Sequence, residues 1–280
     1  VQLGTNGLSL GGADSSTVFS GAMSGIGGSL IKQGSGALTL DGTNTYTGTT
    51  DLSDGSLVVG STAAMGASVA GSVTTAAGTT LGGHGRIGGD LTVAGGGVLA
   101  PGSTGANAIG TLRVDGNLTL EQGSALNFDF GSPGTSGAAA QSDSVSVGGN
   151  LLLNAASLNV SNVGGMGPGV YNLFSYGGAL TMANGGVLPA GGGYTIQYLT
   201  GSKKINLITT AGYELNFWNP NGASGGAAGG GSGTWSLAST AWSDASGALS
   251  GPQQPTPGFA AFGGAPGLVN VSNLDGGVSA

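Results

Sequence analysis

The chain has 280 residues, of which 63 are glycine and none is cysteine, and its formal net charge is −7 with 6% charged residues. Five basic residues cannot form the basic patch of a nucleic-acid-binding surface, and no apolar run approaches the roughly 20 residues of a membrane-spanning helix. A hydrophobic fraction of 39% at so low a charge argues against disorder, and no disulfide can stabilise the fold.

A short phrase recurs along the chain: a glycine, one further residue, and then Leu, Thr or Val in alternation. Since every second residue of a copy is apolar, each copy predicts a strand with one buried face. Helices are disfavoured because glycine is too frequent for helix interiors. The copies begin at Gly36, Gly55, Gly89, Gly116, Gly149 and Gly178.

A second strand is predicted about eight residues after the later copies, beyond a break that contains glycine or asparagine. The paired positions are Leu91 and Leu99, Leu118 and Leu126, Leu151 and Leu158, and Leu180 and Leu188. The copies recur irregularly, at roughly 19 to 34 residues, which suits stacked repeats with turns of variable length.

Short strands with one apolar face, separated by glycine turns, favour an all-β fold that is a parallel β-helix, or β-solenoid, over residues 1–212. A β-sandwich is the main alternative, since it also alternates short strands with turns. Asp90 and Asp115, together with Asn117 and Asn150, precede the repeated leucine, so we expect a structural Asp/Asn ladder between coils.

Residues 34–60, GSGALTLDGTNTYTGTTDLSDGSLVVG, resemble the autotransporter-associated β-strand repeat, also called the passenger-associated transport repeat. One departure is Thr49, where members of the family often have a second glycine. The resemblance implies a right-handed parallel β-helix, secreted by the type V route and displayed on a Gram-negative surface. The residues that carry it include Gly36, Leu38, Leu40, Gly42, Asn44, Tyr46, Gly48, Gly55, Leu57 and Val59.

The composition changes at residue 213, and residues 213–280 form a segment rich in Trp, Gly and Pro. This segment is similar to those that open β-helix modules in giant proteins of the same family, so we expect it to join or open the next module. Its tryptophans, Trp218, Trp235 and Trp242, have two interpretations. They stack on glycans, or they pack over the end of the solenoid and cover strand edges.

The sequence offers little support for catalysis or for a cofactor. The carboxylates are scattered singly and mostly lie beside turn glycines, where turn chemistry explains them. His84, near Arg86, is the only histidine, and no nucleophile-elbow motif accompanies it. One histidine without cysteine leaves no zinc site of the usual kind.

We therefore expect a non-enzymatic structural module of a bacterial surface adhesin or biofilm matrix fibre, outside the cell or on its surface. Its expected partners are copies of itself, end to end or in tandem, in a stalk or filament. The first alternative is a module that binds a glycan or a host receptor, and the second is a β-helical enzyme acting on polysaccharides.

Overall fold

A computed structural model describes residues 1–102, 109–133, 140–184, 193–209, 214–220, 229–236, 238–243 and 258–272. The chain divides into two compact units. The first comprises Val1–Met166 with Asn172–Ala190, and the second comprises Gly167–Tyr171 with Gly191–Ala280. The described residues contain no helix long and apolar enough to cross a membrane.

Three sheets form the first unit. Sheet 1 contains β1 (Gly7–Leu10), β3 (Ser29–Lys32), β6 (Thr50–Leu52), β9 (Val73–Thr75), β12 (Leu91–Val93), β15 (Leu118–Leu120), β18 (Leu151–Asn154) and β21 (Leu180–Ala183). Sheet 2 contains β2 (Thr17–Phe19), β4 (Ala37–Leu40), β7 (Ser56–Val59), β10 (Thr80–Gly83), β13 (Val98–Pro101), β16 (Ala125–Phe130) and β19 (Ser157–Asn162). Sheet 3 contains β5 (Thr43–Asn44), β8 (Ser68–Val69), β11 (Arg86–Ile87), β14 (Thr111–Val114), β17 (Ser144–Val147) and β20 (Gly169–Tyr176).

From β3 to β21, successive strands visit sheets 1, 2 and 3 in turn, and each strand pairs in parallel with the equivalent strand of a neighbouring coil. The first unit is therefore a parallel β-helix, as predicted. The β-sandwich alternative is wrong, because the sheets of a β-sandwich are built from antiparallel strand pairs.

Leucine columns build the core of this β-helix. In sheet 1, Leu91, Leu118 and Leu151 occupy the same register in consecutive coils and are fully buried. Sheet 2 repeats the arrangement with Leu57, Leu81, Leu99 and Leu126. Each buried leucine contributes about 1.5–3 kcal/mol of transfer free energy, which it gains only when the neighbouring coils cover it.

The recurring phrase belongs to two different sheets. The copies that begin at Gly36 and Gly55 lead into β4 and β7 of sheet 2, whereas those at Gly89, Gly116, Gly149 and Gly178 lead into sheet 1. The second strands predicted at Leu99, Leu126 and Leu158 are β13, β16 and β19 of sheet 2, and Leu188 lies outside the described residues. The strands of sheet 3 complete each coil.

The three corners of the β-helix differ in how their length varies. The turns from sheet 3 to sheet 1, here called the constant corner, are 45–49, 70–72, 88–90, 115–117, 148–150 and 177–179. The turns from sheet 2 to sheet 3, here called the variable corner, are 41–42, 60–67, 84–85, 102–110, 131–143 and 163–168. Residues at equivalent positions in consecutive coils are separated by as few as 18 and as many as 33 residues. Most of this difference in coil length arises in the variable corner.

Shorter and more mixed sheets form the second unit. β22 (Tyr194–Leu199) pairs antiparallel with β23 (Lys204–Thr209). β24 (Glu214–Trp218) pairs antiparallel with β26 (Trp242–Ser243) and parallel with β27 (Gly258–Ala261), and β25 (Gly233–Trp235) pairs parallel with β28 (Val269–Val271). This antiparallel pair belongs to the second unit and lies within residues 1–212, which the sequence predicts as β-helix coils. The boundary at residue 212 stays a prediction.

Candidate functional site

The repeat motif at 34–60 forms one full coil of the β-helix and the first strand of the next coil. It runs through β4, β5, β6 and β7, so both its ends lie in sheet 2. Leu38 pairs with Leu57 and Leu40 pairs with Val59, and all four side chains are buried. The motif therefore contains the number of residues that the chain needs to leave sheet 2, complete one coil and enter sheet 2 again.

Asn44 joins three consecutive coils. Its side chain is fully buried, and its Oδ1 accepts a hydrogen bond from the backbone N–H of Met23 at 3.0 Å in the coil before. Its Nδ2 donates to the carbonyls of Gly42 and Ser68, each at 3.1 Å. An asparagine is required here because it supplies both an acceptor and two donors to buried backbone groups.

Tyr46 fills the constant corner of the motif coil. The ring is fully buried, and its hydroxyl lies 2.5 Å from the Thr50 hydroxyl oxygen. Burial raises the pKa of the Tyr46 phenol to about 12, in opposition to the hydrogen bond with Thr50. The phenol therefore stays neutral, and its role in this position is packing.

Seven glycines line the constant corner, one per coil, and are called here the glycine spine. A Cβ atom at Gly116 would lie 2.7 Å from the Gly89 carbonyl oxygen, closer than real Cβ atoms approach. The Gly116 N–H itself donates to that carbonyl at 3.2 Å, so the coils meet backbone to backbone. The spine consists of Gly28, Gly48, Gly71, Gly89, Gly116, Gly149 and Gly178.

A polar ladder runs beside the spine, on the residue that follows each glycine. The Asp90 carboxylate accepts from the Asn117 N–H at 2.7 Å, Asn117 Oδ1 accepts from the Asn150 N–H at 2.8 Å, and Asn150 Oδ1 accepts from the Ala179 N–H at 2.8 Å. The predicted ladder therefore exists through Asp90, Asn117 and Asn150.

Asp115 is not part of that ladder, in contrast to the prediction. It precedes Gly116 instead of following it, and its carboxylate forms ion pairs with Arg86 and, at 2.7 Å, with Arg113. Arg86 and Arg113 occupy the same register position in β11 and β14. The hydrogen bonds from these two guanidinium groups lower the pKa of Asp115.

His84 is held by backbone groups. Its Nε2 lies 3.3 Å from the Ile109 carbonyl oxygen, and its Nδ1 is buried without a hydrogen-bond partner among the described residues. Among the residues that the structure describes, neither nitrogen contacts the serine or carboxylate that a catalytic triad requires. The described residues also contain no group of three or more His, Cys, Asp or Glu side chains placed to share a metal ion.

Asp143 is a buried carboxylate that the sequence does not distinguish from the turn aspartates. Its two oxygens accept from the backbone N–H groups of Gly110 at 2.7 Å and Asp129 at 2.9 Å. Burial raises the pKa of Asp143 to about 7 despite these two donors. The carboxyl group joins the start of β14 to the base of the 131–143 turn in the next coil.

The three tryptophans of the second unit pack on one another. Trp218, Trp235 and Trp242 are 1%, 7% and 0% exposed, and Trp242 lies edge-on to the other two indoles at 5.1 and 5.3 Å. Phe262, 52% exposed, contacts all three rings with centroids 5.7 to 6.1 Å away. The three indoles are almost completely buried, and among the described aromatic residues of this cluster Phe262 is the exposed one.

A cleft of about 230 Å³ opens beside this cluster. The residues that line it include Trp218, Phe262, Pro266 and Val269 together with glycines 230, 231, 263, 264 and 267. The Trp218 Nε1 donates to the Gly231 carbonyl at 3.0 Å, which holds the indole in place. A small, flat, neutral ligand suits such a cleft, because it offers one aromatic face and backbone polar groups without charge.

Two comparisons relate the chain to known proteins. Residues 30–59 match the family described as the Passenger-associated-transport-repeat, and they correspond to the coil that contains Asn44 and Tyr46. The Adhesin BmaC autotransporter of Brucella suis biovar 1 (strain 1330) is 37% identical over 291 residues. That alignment covers 100% of this chain and 8% of the relative, so the chain spans a small part of the relative's length.

Proposed function

Because this chain belongs to the passenger-associated transport repeat family of autotransporter passengers, we propose that it is a structural module of a Gram-negative surface adhesin. The module acts as a stiff spacer, outside the cell or on its surface, in a stalk or filament. Neighbouring modules associate through the stacking of coils at their ends.

The observation that carries this proposal is the unbroken register of the first unit. From β3 to β20, each coil is hydrogen-bonded to the next on all three sheets, and Asn44 and the ladder of Asp90, Asn117 and Asn150 add bonds along the same axis. Bending such a stack requires several parallel rows of hydrogen bonds to break together, so the stack resists bending and proteolysis.

Three carboxylates are held inside this framework. Asp90 and Asp143 accept backbone N–H bonds, and Asp115 is paired with two arginines. These contacts support the mechanical role that we propose.

Electron microscopy of one copy and of two tandem copies tests the proposal. Coil stacking between modules predicts that the tandem protein is a single straight particle, about twice as long as one copy, because each coil adds about 4.8 Å. Two bodies joined by a variable angle would overturn the stacking of modules. The matched control is a tandem in which Val18, 65% exposed on edge strand β2, is changed to proline, which removes a backbone donor from that edge.

Glycan binding is the second candidate function. The cleft beside Phe262 is a better candidate for the glycan site than the buried tryptophans are. A neutral sugar ring stacked on Phe262 would change the emission of the three indoles in contact with that ring. Titration of neutral oligosaccharides should then give a saturable fluorescence change that Phe262→Ala removes. An unchanged titration in Phe262→Ala, or no change in the wild type, would exclude this cleft.

A further inference from the structure

The outer face of sheet 3 carries a row of polar side chains that contains both arginines of the chain. One residue of each strand lies in this row at equivalent register, and every member except the two arginines carries a hydroxyl group. None of the residues in these six described strands is acidic. The row consists of Thr43, Ser68, Arg86, Arg113, Ser146 and Ser175. Its centre is therefore positively charged, although the net charge of the chain is −7.

Arg86 and Arg113 share one carboxylate. Nη2 of Arg86 contacts Asp115, and Nε of Arg113 donates to the same carboxylate at 2.7 Å, so two positive charges face one negative charge. The hydrogen bond between Arg86 and Asp115 raises the pKa of Arg86 and lowers the pKa of Asp115, so both groups stay charged. The arginine side chains are 55% and 62% exposed, and the N–H groups that Asp115 does not occupy remain available to a further acceptor.

Stability alone does not account for two arginines in this position. Their strands are about 4.8 Å apart, so the two like charges repel each other, and ion pairs between exposed side chains contribute little. At the equivalent register, serine or threonine serves the other strands of the row, so the fold has no need of a cation there. The arginine pair therefore points to a ligand with negative charge.

We propose that this row binds an acidic sugar whose carboxylate lies between Arg86 and Arg113. Guanidinium groups bind carboxylates through charge-assisted hydrogen bonds, and the pairing of neighbouring strands holds the two arginines at a fixed separation. Ser68 and Ser146 flank the arginines in the row, and their hydroxyl groups can donate to and accept from the hydroxyl groups of the sugar. A sugar with a single carboxylate suits the site, since the net charge of −7 repels a long polyanion.

This site is independent of the functions proposed above. It lies on the first unit and takes a charged ligand, whereas the cleft beside Phe262 belongs to the second unit and suits a neutral one. It also lies on an outer face of the β-helix, so it does not depend on the stacking of modules at their ends. Phe262→Ala should therefore leave the binding of an acidic sugar unchanged, and the stalk and the acidic-sugar site fail separately.

Nuclear magnetic resonance tests the site directly. Because the chain has two arginines, a sample labelled with nitrogen-15 in arginine gives one Nε–H signal for each. Sodium glucuronate should shift both signals saturably, whereas glucose, which lacks the carboxylate, should shift neither. Acetate should bind about fivefold more weakly than glucuronate, because it lacks the sugar hydroxyl groups. Unmoved signals with glucuronate, or equal affinities for acetate and glucuronate, would overturn the proposal.

Variants assign the binding to the arginines, with the folding of each variant checked by circular dichroism. Arg113→Gln should weaken glucuronate binding about tenfold or more, measured at the Arg86 signal, because the carboxylate loses one of its two cations. Arg113→Lys keeps the charge without the planar fork and should weaken binding about threefold or more.

Lys204→Gln is the matched control for charge, since it removes an exposed cation from β23 in the second unit. It should leave glucuronate binding within about twofold, because salt screens charges that lie far from the site. Equal losses in Arg113→Gln and Lys204→Gln would overturn the proposal, because binding would then follow net charge alone.

Discussion

The constant and variable corners of the β-helix are made from the same residue types but tolerate opposite kinds of change. At the constant corner, the backbone of each spine glycine contacts the glycine one coil earlier, so no side chain fits at these glycine positions. At the variable corner, turns as different as 84–85 and 131–143 connect the same two sheets. Glycine therefore has two roles in this chain: it permits close backbone contact at the constant corner, and it forms loops at the variable corner. Substitutions at the two corners should distinguish these roles.

The largest difference should come from adding one methyl group at each corner. Gly116→Ala places a Cβ atom 2.7 Å from the Gly89 carbonyl, so the coils must separate, and we expect a loss of about 3 kcal/mol in the free energy of unfolding. Gly66→Ala has no atom within 4 Å of the new Cβ and should change stability by less than about 0.5 kcal/mol. Urea unfolding measures both, and equal losses would contradict the distinction between the corners.

Asn44→Ala should have the next largest effect, about 2 kcal/mol, because the buried Met23 N–H and the Ser68 carbonyl lose their partner. The matched control is Asn159→Ala. Asn159 is exposed on β19, where its side chain donates to Asn127 at 2.7 Å, and we expect little change there. Thermal unfolding monitored by circular dichroism compares the two. If Asn159→Ala destabilises the chain as much as Asn44→Ala does, burial of the amide is not the cause of the lost stability.

Asp143 should make stability depend on pH at the variable corner. Its pKa is raised to about 7 in the folded chain, so the native state binds a proton that the unfolded chain releases near pH 4. Its contribution is therefore fully present below about pH 4 and is lost as pH rises through 7, at no more than about 1.4 kcal/mol per pH unit. Asp143→Asn should flatten the profile of unfolding free energy over this window, and an unchanged slope would assign the dependence to other groups.

The smallest effect should follow an insertion of Gly-Ser-Gly between Met65 and Gly66. Lengthening a surface turn costs about 0.6 kcal/mol per doubling of its length, and the paired strands β7 and β8 keep their register. The melting temperature should therefore fall by only a few degrees. A large fall would mean that the 60–67 turn is part of the folding core.

The prediction of the fold succeeded where local pattern and tertiary contact agree. The alternation in Leu118–Leu120 and Ala125–Phe130 predicts buried faces, and both strands bury their apolar residues. The prediction of one ladder failed at Asp115, because its place relative to the corner glycine differs by two residues from that of Asn117. A shift of one or two residues at a corner changes which sheet or partner a side chain faces, and composition does not record it.

By itself the sequence determined the strand type, the glycine turns and the stacking of coils, because period-two leucines and corner glycines are local features repeated many times. Only the tertiary structure decided which sheet each copy of the phrase enters, that Asp143 is buried, and that the three tryptophans cover one another. These features depend on residues from different coils or distant segments that meet in space, and no window of the sequence contains both partners.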